Sequence, residues 1–82
     1  MNSTGIISKN GFVAWSSLHI MNYREKLNGN NFRCFRKIAH AVVNYYFLMY
    51  DEFPTDVIEK FEQDIEKLSQ NPKADIIYSV QK

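Results

Sequence analysis

The residues best suited to chemistry are the single cysteine, Cys34, and the two histidines, His19 and His40. A thiol activated by an imidazole base is the smallest arrangement for nucleophilic catalysis. Cys34 and His40 are six residues apart, which on an α-helix turns their directions by more than half a turn. They therefore cannot touch on a helix, and Cys34 is interpreted as a small buried hydrophobe. No pair among the three has metal-ligand spacing, so we predict no metal site, no catalytic residue and no cofactor.

Paired carboxylates are the second possible source of chemistry. Glu59 and Glu62 are three residues apart, and Glu62 and Glu66 are four apart. Acid–base catalysis needs such a pair in a cleft that drives the two pKa values apart. These positions instead fall on the polar side of an amphipathic segment, which favours a solvated acidic surface. The three glycines are isolated, so a glycine-rich phosphate loop is excluded.

A basic cluster is the clearest candidate for ligand binding. Arg33, Arg36, Lys37 and His40 recur at helical steps, and arginine forks can hold phosphate or another anionic partner. The net charge is only +1, and the next amphipathic segment is acidic, both of which argue against a dedicated nucleic-acid domain. A solvated face, or one paired with the acidic segment, is the favoured interpretation. Nucleic-acid binding is the alternative function.

An aromatic run supplies a different kind of candidate surface. Residues 45–50 are nearly all aromatic or apolar, and neighbours on a helix point about 100° apart, so one packing face cannot cover them all. Tyrosine and methionine are frequent at protein interfaces. We therefore expect an interface formed by Tyr45, Tyr46, Met49 and Tyr50. Packing of these residues in the core is an equally favoured alternative. The leading functional prediction is a non-enzymatic protein-binding, regulatory or accessory protein that forms a homodimer.

The elements that must position these residues are predicted from periodicity. Asn10-Gly11 between short apolar runs predicts a β-hairpin over residues 5–15. Residues 18–28 favour a helix over a strand. Steps of three and four predict a long helix from Phe32 to about residue 50, and a second helix that is capped by Thr55 and stopped by Asn71-Pro72. Residues 74–80 have β-type composition and predict a closing strand.

These elements predict an α+β fold, in which a small antiparallel sheet of the N-terminal hairpin and the C-terminal strand is covered on one face by two or three helices. Eighty-two residues leave room for a single domain over residues 1–82, with residues 1–4 flexible. One cysteine allows no internal disulfide, the start lacks an export signal, and no apolar stretch is long enough to span a bilayer. We therefore expect a cytoplasmic protein without membrane contact.

Overall fold

The fold is all-α in the computed structural model, which describes residues 6–71. Its helices are α1 (Lys9–Met21), α2 (Gly29–Met49) and α3 (Thr55–Gln70), with a 3-10 turn over Asn22–Glu25. Within residues 6–71 the only extended pairing is an isolated antiparallel bridge between Ile7 and Phe53. The predicted α+β fold with a small antiparallel sheet is therefore wrong.

The predicted N-terminal hairpin is replaced by the beginning of α1. Ser8 is the N-cap, and its hydroxyl oxygen accepts a hydrogen bond from the backbone N–H of Gly11 at 3.1 Å. The Asn10-Gly11 pair therefore lies in the first helical turn. A β-carbon on Gly11 would lie 2.7 Å from the Ile7 side chain, so glycine here permits the chain before the helix to pack closely.

The core pattern of α1 explains why helix is favoured over strand. Phe12, Ser16 and Ile20 are its buried residues, and their spacing of four places them on one helical face. The buried Ser16 hydroxyl donates to the backbone oxygen of Val13 at 3.1 Å, which satisfies a polar group inside the core. Tertiary packing of this face outweighs the β-type composition of the segment.

Residues 18–28 divide between two elements. The preference for helix is confirmed as far as Met21, after which the 3-10 turn places Tyr23 in the core. Gly29 does not stop a helix but begins one, because the Asn28 side chain caps α2 by accepting from the N–H of Asn31 at 2.9 Å.

The two long helices are confirmed. The chain leaves α2 at Tyr50 and enters α3 at Thr55, which is the first helical residue and not the predicted N-cap, because Pro54 occupies that position. Phe61, Ile65 and Leu68 are the buried residues of α3, as its apolar periodicity predicts. The predicted strand over residues 74–80 and the predicted flexibility of residues 1–4 lie outside the described residues.

The core is organised around Phe12 of α1. Its ring stacks on Phe53 at a centroid distance of 4.1 Å and meets the edge of Phe61 at 5.1 Å. The ring of Tyr46 from α2 lies 6.5 Å away. Phe12 thus contacts aromatic rings from the loop, α3 and α2, so each helix contributes to one aromatic cluster.

Removing the Phe12 ring should therefore be costly. We expect Phe12→Ala to lower the free energy of unfolding by about 3–5 kcal/mol, because the substitution leaves a cavity where three segments meet. Urea unfolding followed by circular dichroism measures the change. The matched control is Leu18→Ala on the same helix, where the side chain is 70% exposed and the expected change is within about 0.5 kcal/mol. Equal losses in the two variants would contradict this role.

Candidate interaction surfaces

Helix α2 carries three distinct faces. At about 100° per residue, its buried residues cluster around one direction, which we call the core face. The members of the core face are Phe32, Phe35, Ala39, Val42 and Tyr46. Two other sets of residues lie roughly 120° to either side of it. Partly buried residues of α2 flank the core face, among them Ile38 and Val43, which pack against the core.

The first of these sets is the basic face, formed by Arg33, Arg36, Lys37 and His40. All four side chains are exposed, and together with Asn30 and Cys34 they line one shallow surface depression. The structure thus brings the four predicted anion-binding residues together. Within residues 6–71, Arg33, Arg36 and Lys37 form no ion pair, and Lys9–Asp51 at 3.8 Å is the only one between described side chains.

The basic face continues towards the 3-10 turn. Arg24 lines a second depression that it shares with Arg33 and Arg36. Apolar side chains complete this depression: Met21, Leu27 and Phe32. Three arginines from two elements therefore surround one surface hollow. The sequence shows only that Arg24 lies near the cluster along the chain. In the structure, the 3-10 turn brings its side chain to the same surface as Arg33 and Arg36.

The four residues predicted to form an interface occupy different environments. Tyr46 is buried, and its hydroxyl donates to Asp64 Oδ2 at 2.6 Å, so it belongs to the core. Tyr50 is half-buried and stacks on Tyr46 with ring centroids 5.6 Å apart. Tyr45 and Met49 are 42% and 59% exposed, and the Tyr45 ring contacts the edge of the Tyr46 ring at 5.8 Å.

The exposed members extend into a longer apolar stripe along α2. Its residues recur at alternating steps of four and three, the spacing of a coiled-coil contact line, and are Cys34, Ile38, Ala41, Tyr45 and Leu48. Leu48 is 73% exposed, the largest value among the exposed large hydrophobic residues of the described chain. The apolar stripe is about 110° from the centre of the basic face by helical geometry. Leu48 and Ala41 were not among the predicted interface residues, although their spacing from Tyr45 signals them.

A third surface lies between α1 and α3 around His19. The His19 ring stacks on Trp15 at 4.9 Å, and its Nε2 atom is buried without a hydrogen-bond partner. Burial lowers the pKa of His19 from 6.5, and the nearby carboxylates Glu62 and Glu66 oppose this shift. Because burial is the larger cause, the neutral imidazole is favoured in the folded protein.

Glu66 has a structural role on this surface. It accepts a hydrogen bond from the Tyr23 hydroxyl at 2.7 Å, which lowers the pKa of the Glu66 carboxyl. Burial, together with this hydrogen bond, raises the pKa of Tyr23 to about 12. In residues 6–71 no group of three or more histidine, cysteine or acidic residues is arranged to hold a metal ion. Glu59 and Glu62 line the same groove as Glu66, so the three carboxylates lie on one surface.

Cys34 and His40 both line the depression of the basic face. Cys34 is half-buried and His40 is exposed, and no hydrogen bond joins them.

None of the helices within residues 6–71 is both long and apolar enough to cross a membrane.

Comparison with protein-family models, with characterised proteins and with solved structures finds no match.

The buried imidazole predicts a pH dependence of stability. The unfolded chain takes up a proton at His19 near pH 6.5, whereas the folded chain resists it, so the free energy of unfolding should fall as the pH drops from about 7 to about 5.5. His19→Phe should flatten this slope, as measured by urea unfolding at several pH values. Leu18→Phe, at an exposed position of the same helix, is the control and should leave the slope unchanged, because it removes no titratable group. An unaltered slope in His19→Phe would contradict the assignment.

Proposed function

We propose that this protein is a small non-enzymatic protein-binding protein that acts as a homodimer through the apolar stripe of α2. The observation that carries the proposal is the exposure of Tyr45 and Leu48 on a line with the spacing of helix–helix contacts. Burying such a line against a second helix removes apolar surface from water. The cytoplasm is the proposed location, because one cysteine and no internal disulfide suit a reducing compartment.

The symmetry of the apolar stripe favours a second copy of the chain as its occupant. Cys34 and Leu48 each lie seven residues from Ala41, while Ile38 and Tyr45 lie three and four residues from it. An antiparallel pair centred on Ala41 therefore places each half of the stripe opposite the other half of the partner's stripe. The small side chain of Ala41 would lie at the two-fold axis, where it allows the helices to approach closely. This is an isologous interface, the commonest kind in homodimers.

The charges along α2 support the antiparallel direction. The basic residues occupy its first half, and the acidic residues Asp51 and Glu52 follow its C-terminal end. In a parallel pair, the basic face of one chain would lie beside the basic face of its partner, and the two acidic ends would also be neighbours. Both arrangements place like charges together and are repulsive. An antiparallel pair brings the basic half of one helix towards the acidic end of the other. Electrostatics of this kind selects the orientation more than it adds affinity.

The mass in solution tests the dimer. We expect light scattering to give twice the chain mass of 9.7 kDa, with little effect of salt, because the contact is mainly apolar. Leu48→Gln should weaken dimerisation by about 100-fold or more, since two leucine side chains are lost from each interface. The control is Leu18→Gln, which removes an equally exposed leucine from α1 and should leave the dimer intact. A wild-type monomer at every concentration would overturn the proposal.

Disulfide trapping tests the direction of the pair. Ala41→Cys in a Cys34→Ser background should form an interchain disulfide under mild oxidation, because the two positions meet at the axis. Native Cys34 should not, since its two copies would lie about 21 Å apart along an antiparallel pair. Asn44→Cys in the same background is the control on an exposed position beside the stripe, and should stay reduced. Efficient cross-linking through native Cys34 would instead indicate a parallel pair.

A further inference from the structure

We propose that the basic face is a binding site for the phosphate backbone of duplex nucleic acid, and that dimerisation joins two basic faces into one site. The second part rests on the proposed homodimer, whereas the first applies to a single chain. The site consists of Arg33, Arg36, Lys37 and His40, with Arg24 at its edge.

The charges of the basic face are not used within the described fold. Its two arginines and its lysine are exposed and form no ion pair with another residue of the range 6–71. The acidic helix α3 packs against α2 through other residues, including the hydrogen bond from Tyr46 to Asp64. Cations that lack an internal partner are the groups that release counterions when they meet phosphates. An anionic ligand is therefore the chemistry that this face fits.

The geometry of the proposed pair makes the two faces act together. The two-fold axis of an antiparallel pair runs perpendicular both to the helices and to the line that joins them. A side chain that points along this axis in one copy therefore points the same way in the other copy. The basic face lies about 110° from the apolar stripe, close to such a right angle. Both basic faces therefore lie on the same side of the dimer. From Arg33 of one copy to the same residue of the other, this surface extends about 24 Å along the helices.

A nucleic-acid backbone fits this surface better than a membrane does. A helix that lies on a lipid surface inserts an apolar side flanked by its basic residues. No large exposed hydrophobic residue lies between positions 30 and 44 of α2, and the apolar residues of its core face are already covered. A duplex carries one negative charge per roughly 1.7 Å of its length and requires only cations at matching positions.

The site should read the backbone and not the bases. Tyr23 and Phe32 are aromatic residues close to the arginines of the site in sequence, and both are buried in the core. Without an exposed aromatic ring at the basic face, base stacking has no platform there. The binding is therefore electrostatic and independent of sequence.

Salt dependence measured with a labelled duplex of about 24 mixed base pairs tests the site. The three full cations of each basic face, without Arg24 at its edge, give six in the dimer, so their contribution to the slope of log K against log salt should be about −5. Arg33→Gln with Arg36→Gln leaves two lysines per dimer and should reduce the slope to about −2, with affinity at about 0.1 M salt at least 30-fold lower. The control, Lys60→Gln with Lys67→Gln, removes the same charge from α3 and should bind within about threefold of wild type.

The outcomes separate this site from the proposed dimer. A monomer whose slope of log K against log salt is about −3, and becomes shallower in the arginine variant, would support nucleic-acid binding by the basic face. The same result would overturn the pairing of two basic faces in a dimer. A dimer that does not bind the duplex at about 50 mM salt overturns the nucleic-acid site and leaves the homodimer standing. Equal losses in the arginine and lysine variants also overturn the site. So does binding to phosphatidylserine vesicles in the absence of duplex binding.

Discussion

The stacking of Phe12 on Phe53 is the interaction on which the rest of the structure depends. Phe53 lies in the loop before α3, and its backbone N–H and C=O both bond to Ile7, each at 3.0 Å. The bridge joins the chain before α1 to the chain before α3, and the stacked rings then meet Phe61 and Tyr46 from the other helices. A chain this short has few apolar residues to bury, so it gains most by joining its aromatic rings in one cluster.

The concentration of the buried aromatic rings in one cluster leaves α2 only partly covered. It is the longest helix of the described residues, and its fully buried residues are those of the core face. Within residues 6–71, Tyr45 and Leu48 of the apolar stripe and all four residues of the basic face remain exposed. The two faces differ in chemistry, one apolar and one cationic, and they are separated by about 110° around the helix. One helix can therefore support two contacts of different kinds without competition between them.

Periodicity predicted α2 and α3 because their apolar residues recur at helical steps over several turns. It failed for α1, where the Asn10-Gly11 pair suggested a turn, although the cap at Ser8 and the spacing of Phe12 and Ser16 indicate a helix. The basic face could be predicted, since charged residues at helical steps share a side wherever the helix lies. The apolar stripe could not be separated from the core, because Tyr45 and Tyr46 are equally apolar. Only the placement of α1 and α3 decides which of them is buried.

The acidic residues of α3 explain why the basic face stays open. Asp64 accepts a hydrogen bond from the hydroxyl of Tyr46 and Glu66 accepts one from that of Tyr23, so both carboxylates satisfy buried tyrosine hydroxyls. A phenol hydroxyl inside a core needs such an acceptor, and an ionised carboxylate is a strong one. This use fixes α3 against the side of α2 opposite to the cations. The fold thus separates its positive and negative charge onto different surfaces, and a chain of net charge +1 can still present a concentrated cationic site.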